Sequence, residues 1–166
     1  MHVTYRRLQR VLLASFAYPL FALAAHAQAA DVSPGDILQI RALFLRQTAA
    51  ESEHDIDALN DVLARAPAGQ PDPVSFIARA YQFIGRDAVM AHFRKTFEGT
   101  WHLDTDESAI RIVPLGADIA QIYAPARVTI GAAGQQAKTA PFLINEFAIR
   151  TPAGWRISAI VPVPAQ

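Results

Sequence analysis

Cysteine is absent from the 166 residues, which excludes disulfide staples, thiolate nucleophiles and cysteine-held metals. Histidine is scarce. Of five, His54, His92 and His102 fall on separate stretches with no His-x-His or His-x-x-x-His spacing, so no metal site is expected. No Gly-x-Ser-x-Gly elbow occurs, and the glycine-rich turn Gly131-Ala132-Ala133-Gly134 lacks the lysine and helix of a phosphate loop. No cofactor is expected. Charge of one sign is lacking too: 15 basic residues face 15 acidic ones, with no basic stripe to neutralise phosphates, which argues against a nucleic-acid partner.

What is present begins with a segment unlike the rest. Arg6, Arg7 and Arg10 lead into an apolar run over residues 11–25 that is too short to span a bilayer and is interrupted by Pro19. Small residues follow at Ala25-His26-Ala27 and Ala27-Gln28-Ala29. This pattern predicts a cleavable signal peptide over residues 1–29, a periplasmic or secreted location, and no membrane attachment after cleavage. Cleavage removes three basic residues and no acid, leaving a net charge of −3. Residues 30–166 form one expected domain, long enough to build its own core.

The first half of that domain reads as helical. Ser33 as a cap, Pro34 at the first helical position and Asp36 in the first turn open a helix whose apolar stripe is Ile37, Ile40, Leu43 and Phe44, with Gln47 in phase. A second helix is expected over 55–63 and ends in a loop containing Pro67, Gly69, Pro71 and Pro73. Residues 74–77 and 81–84 are short β-type runs suited to a hairpin. A third helix over 87–97 carries Val89, Met90, Phe93 and Phe97 on one side and closes at Gly99. Beyond it, strands are expected over 100–103, 109–113, 120–130, 142–150 and 155–163. The pattern is α+β: a strongly curved antiparallel sheet with three helices covering one face.

Three local patterns in this order, Asp55-Ile56-Asp57-Ala58-Leu59, Phe83-Ile84-Gly85-Arg86-Asp87-Ala88-Val89 with Phe93, and Gly154-Trp155-Arg156-Ile157, resemble the nuclear-transport-factor-2-like (NTF2-like) superfamily, in its SnoaL-like and ketosteroid-isomerase-like branches. The resemblance spans residues 34–163. It implies a cone-shaped α+β barrel with the helices in the concave face of the sheet, an apolar cavity at the open end, and pairing as a homodimer through the sheet. It implies no particular reaction.

The candidate site residues fall into three groups. His102 and Asp104 alternate with Trp101 and Leu103, so a carboxylate lies beside an imidazole and suits general-base work, with Tyr123 as a polar partner. Their phase is ambiguous. An unbroken strand would place them with Ile110 and Ile112 on the buried side, whereas a break over 105–108, the expected arrangement, puts them in water. The second group lies in the long strands, where Asn145 is flanked on its own face by Leu143, Phe147 and Ile149, and Glu146 sits with Phe142, Ile144 and Ala148. A buried Asn145 amide needs a partner, either a ligand or a neighbouring group. Tyr81, Phe83, Phe93, Phe97, Trp101 and Phe147 complete a candidate pocket for a small, largely apolar molecule, and equally suit plain core. His54 reads as part of a solvated helix junction with Glu51 and Glu53, and His92 as a surface residue.

Three functions are therefore expected in competition. The first is binding of a small apolar molecule, the second acid-base catalysis in the same cavity, and the third a protein-interaction module. The module would use the exposed sheet face of Gln121, Tyr123, Pro125, Arg127 and Thr129.

Overall fold

A computed structural model describes residues 31–79 and 81–165; the proposed signal segment, residues 1–29, lies outside the described residues. Helix α1 (Pro34–Ser52) opens with a capping box: the Asp36 amide donates to Ser33 Oγ, and Asp36 Oδ2 accepts from the Ser33 amide and hydroxyl at 2.9 and 2.7 Å. Asp55 caps the short α2 (Ile56–Val62) by accepting from the Asp57 and Ala58 amides. The hairpin β1 (Ser75–Ala78) and β2 (Tyr81–Ile84) follows, then α3 (Arg86–Thr96). Five strands complete the domain: β3 (Thr100–Thr105), β4 (Arg111–Gly116), β5 (Ile119–Gly131), β6 (Lys138–Thr151) and β7 (Gly154–Pro164). Among the described residues no helix is long and apolar enough to cross a membrane.

The sheet runs β2-β1-β7-β6-β5-β3, and β4 shares with β3 the same edge of the long β5. One junction departs from the antiparallel expectation. Strand β1 joins β7 in parallel, Ser75 opposite Ala159 and Phe76 opposite Ile160, so the sheet is mixed. The pairing follows from the path of the chain: after α2 it makes a parallel bridge from Leu63 to Ile157, and then returns along the same strand through the proline-rich loop. Strands β5 and β6 pair from Ile119 opposite Ile149 to Ile130 opposite Lys138, and bulges at Pro114/Gly116 and Phe147/Ala148 bend the sheet around the helices.

The expected break after β3 is present. A single 3₁₀ turn, Glu107–Ala109, separates it from β4, so Trp101 and Leu103 are buried while His102 and Asp104 are exposed. The core lies on the concave face. Ile122, Ala124, Val128, Ile144 and Ile157 from the sheet meet Ile40, Leu43 and Phe44 of α1, Leu59 of α2, and Val89 and Phe93 of α3. Small alanines at 120, 124 and 126 limit the volume the concave face presents to the helices. Glycines set the closest backbone approach at the edge, where a Cβ on Gly99 would overlap the Gly131 carbonyl oxygen.

Candidate ligand pocket and the buried carboxyl pair

At the open end of the curled sheet lies a cavity of about 300 Å³. Its walls follow from strand alternation: Phe76 and Ala78 of β1 face inward beside Tyr81 of β2, because Ala78 pairs with Tyr81 across the hairpin. Val128 and Ile130 of β5, Phe142 and Ile144 of β6, and Pro162 and Pro164 of β7 form the sheet side. Helix α3 contributes His92, and β3 contributes Trp101. The volume is at the small end of ligand pockets, which run from about 300 to 1,000 Å³.

His92, with Arg79 and Tyr81 of the hairpin, interrupts this apolar wall. Its ring stacks on Phe83 with centroids 4.2 Å apart and tilts against Phe76 at 4.6 Å. Nε2 is buried with no hydrogen-bond partner among the described residues, and burial pushes the imidazole pKa down, so the ring is neutral. A neutral imidazole can accept one hydrogen bond and donate another. The surface placement expected for His92 is thus corrected: the i, i+1 spacing to Phe93 puts its ring beside the hairpin, and the hairpin covers it.

Behind Trp101 lies a second feature. Its indole Nε1 donates to Glu51 Oε2 at 2.9 Å; the Gln47 amide nitrogen donates to Glu51 Oε1 at 2.6 Å and to Glu146 Oε1 at 2.8 Å. Gln47, Glu51 and Glu146 are all essentially inaccessible. Burial pushes Glu51 up to about 7 against the pull of those hydrogen bonds, and pushes Glu146 well above the ordinary carboxyl range, with the Glu51 charge adding to it. Burial thus favours the protonated, uncharged form of Glu146, which can donate a hydrogen bond. The indole ring stands between this pair and the cavity.

The structure distributes the expected site residues over two faces. Tyr81 and Trp101 line the cavity. Phe83 supports it by stacking on His92, and Phe93 packs edge-on beneath Trp101 and Phe76. Phe97 instead stacks on His54 at 4.7 Å. His54, expected in a solvated junction, is half-buried, and its Nε2 lies 3.0 Å from the Trp101 carbonyl oxygen. Glu51 leaves that junction altogether for the core.

His102, Asp104, Tyr123, Asn145 and Phe147 lie on the outer face of the sheet, because their neighbours Trp101, Leu103, Ile122, Ala124, Ile144 and Glu146 take the inner one. Asn145 finds its partner beside it, accepting from the Gln121 amide at 2.9 Å. His102 and Asp104 stand opposite Thr129 and Arg127 on β5 and do not approach the cavity. The sequence pattern set Gln47 in phase with the buried stripe but left Glu51 in the solvated junction. The signal was available: they lie four residues apart and continue the stripe of Ile40, Leu43 and Phe44. Among the described residues no three His, Asp or Glu side chains are grouped to hold a metal.

Comparison with known proteins agrees with the fold. A family model described as the SnoaL-like domain matches residues 40–161. Among solved structures, a ketosteroid isomerase-like protein from Erwinia carotovora atroseptica is similar at a TM-score of 0.67 and 14% identity, covering 81% of this chain and 99% of that one. A proposed dehydratase of the NTF2-like family from Streptomyces avermitilis gives 0.63 and 16%, with coverage of 81% and 99%. A proposed calcium/calmodulin-dependent protein kinase type II association domain from Thiobacillus denitrificans gives 0.60 and 26%, with coverage of 75% and 94%. No match was found among curated proteins.

Proposed function

The chain belongs to the SnoaL-like family, and from that premise we propose that it binds a small, largely apolar molecule in the cavity at the open end of the cone. The observation that carries this reading is an apolar cavity of about 300 Å³ walled by aromatic and aliphatic side chains, with the His92 imidazole in its lining. The aromatic walls of Phe76, Trp101 and Phe142 favour a flat molecule.

The test is a two-dimensional NMR titration with 2-naphthol, a flat apolar molecule with one hydroxyl. The reading predicts saturable shifts of the Trp101 indole N–H and of the amides of Phe76 and His92, with Trp155 on the far side of the core unmoved. Shifts scattered over the outer sheet, or none, would sink it.

A second reading, pairing of two copies through the outer sheet face, is favoured by one row of side chains. Pro125, Leu143 and Val163 are register neighbours across β5, β6 and β7, all exposed, with half-buried Phe147 and Val161 beside them. Export rests on residues 1–29 alone and is tested by the intact mass of the protein recovered outside the cytoplasm, which should lack them.

A further inference from the structure

We propose that the molecule bound in the cavity is an aromatic acid, and that the Arg79 guanidinium at the cavity mouth pairs with its carboxylate. This rests on the pocket reading and deepens it. Among the described residues lining the cavity, Arg79 is the one charged side chain, and none is acidic. An apolar wall with a single cation at its rim selects an apolar body with a single anionic end, because a carboxylate brought to such a rim needs a charged donor in place of its water. A guanidinium meets a carboxylate with two parallel N–H donors, which fixes orientation as well as charge.

Arg79 is also free to do this. The ion pairs of the structure involve Arg41, Lys95 and Arg150, and among the described residues no Asp or Glu pairs with Arg79. It is exposed, follows Ala78 at the end of the first hairpin strand, and belongs to the cavity lining. Its backbone sits at φ +52, in the left-handed region, where turn chemistry favours asparagine or glycine and an ordinary side chain costs about 1–2 kcal/mol. The backbone conformation therefore does not favour arginine at this position. The neighbouring Tyr81 ring, 66% exposed, extends the apolar wall outward beside the cation.

The experiment compares 2-naphthoate with its uncharged counterpart naphthalene-2-carboxamide by calorimetric titration, on the protein and on Arg79→Gly. Glycine suits the left-handed backbone, so the variant should melt at or above the parent temperature, and any loss of binding is then not a loss of fold. The proposal expects naphthoate to bind about tenfold more tightly than the amide, a preference erased by Arg79→Gly and reduced in 1 M salt, with amide affinity unchanged. Equal affinities, or a preference that survives in Arg79→Gly, overturn the carboxylate assignment and leave the pocket reading standing. Tighter binding of octanoate than of naphthoate overturns the aromatic part. If none of the three ligands binds, the pocket reading falls and this inference falls with it.

Discussion

Glu51 and Glu146 are the residues whose chemistry departs furthest from what their sequence neighbours suggest. Both hold protons above the pH at which an unfolded carboxyl releases them, so their contribution to stability is complete below the ordinary value of 4.5 and is lost as pH rises, for Glu51 through about 7. Asp36 works in the opposite sense. Arg150, then the Trp155 indole, then Ser33 hold its carboxyl well below the usual range, so its contribution is present above 3.8 and lost in acid. Stability should therefore peak between those limits. The unfolding free energy from urea titration should fall between pH 5 and 8 by an amount on the order of 2 kcal/mol, and the double variant Glu51→Gln/Glu146→Gln, which keeps the shape without the charges, should remove most of that fall. A flat profile in the parent protein would show that the pair is hydrated and ordinary. The sequence placed Glu146 on an apolar strand face, and that alternation held. Glu51 was misread because Glu53, Asp55 and Asp57 around it are exposed, and a run of acids suggests a solvated surface unless the helical phase is followed to its end.

The elements were legible where local chemistry sets them. The Ser33 to Asp36 capping box, the proline-rich stop after α2 and the alternation of β5 and β6 each sit in a few consecutive residues. The parallel junction of β1 with β7 was not legible, because Phe76 and Ile160 are joined only through the path of the chain. Nor does any local pattern mark the clasp between α2 and α3. Arg86, buried at the start of α3, donates to the Leu63 and Ala64 carbonyls and to both the carbonyl and the side-chain oxygen of Asn60, so it completes the C-terminal end of α2. Arg86→Met keeps the bulk and removes every donor. The expected loss is about 3 kcal/mol by chemical denaturation, since several buried oxygens lose their partners together. A loss under about 1 kcal/mol would mean that water reaches those oxygens.

For the whole molecule, curvature separates two surfaces with different uses. The outer face carries the Pro125, Leu143 and Val163 row together with the earlier catalytic candidates His102, Asp104 and Tyr123; the inner face carries the cavity. Alternation assigned side chains to faces correctly, but which face encloses the cavity depends on the direction of bending, which no single strand encodes. If the outer row joins two copies, sedimentation should give twice the monomer mass, and Leu143→Glu should return it to monomer with the melting profile intact. A monomer at every concentration would remove that role. On the inner face, a calorimetric titration of 2-naphthol into the protein and into Ala78→Phe decides whether the cavity holds a ligand, because a ring at position 78 fills the cavity from its hairpin wall. One saturable site is expected in the parent and none in the folded variant; equal binding by both would show that the ligand sits elsewhere and that the cavity is not its site.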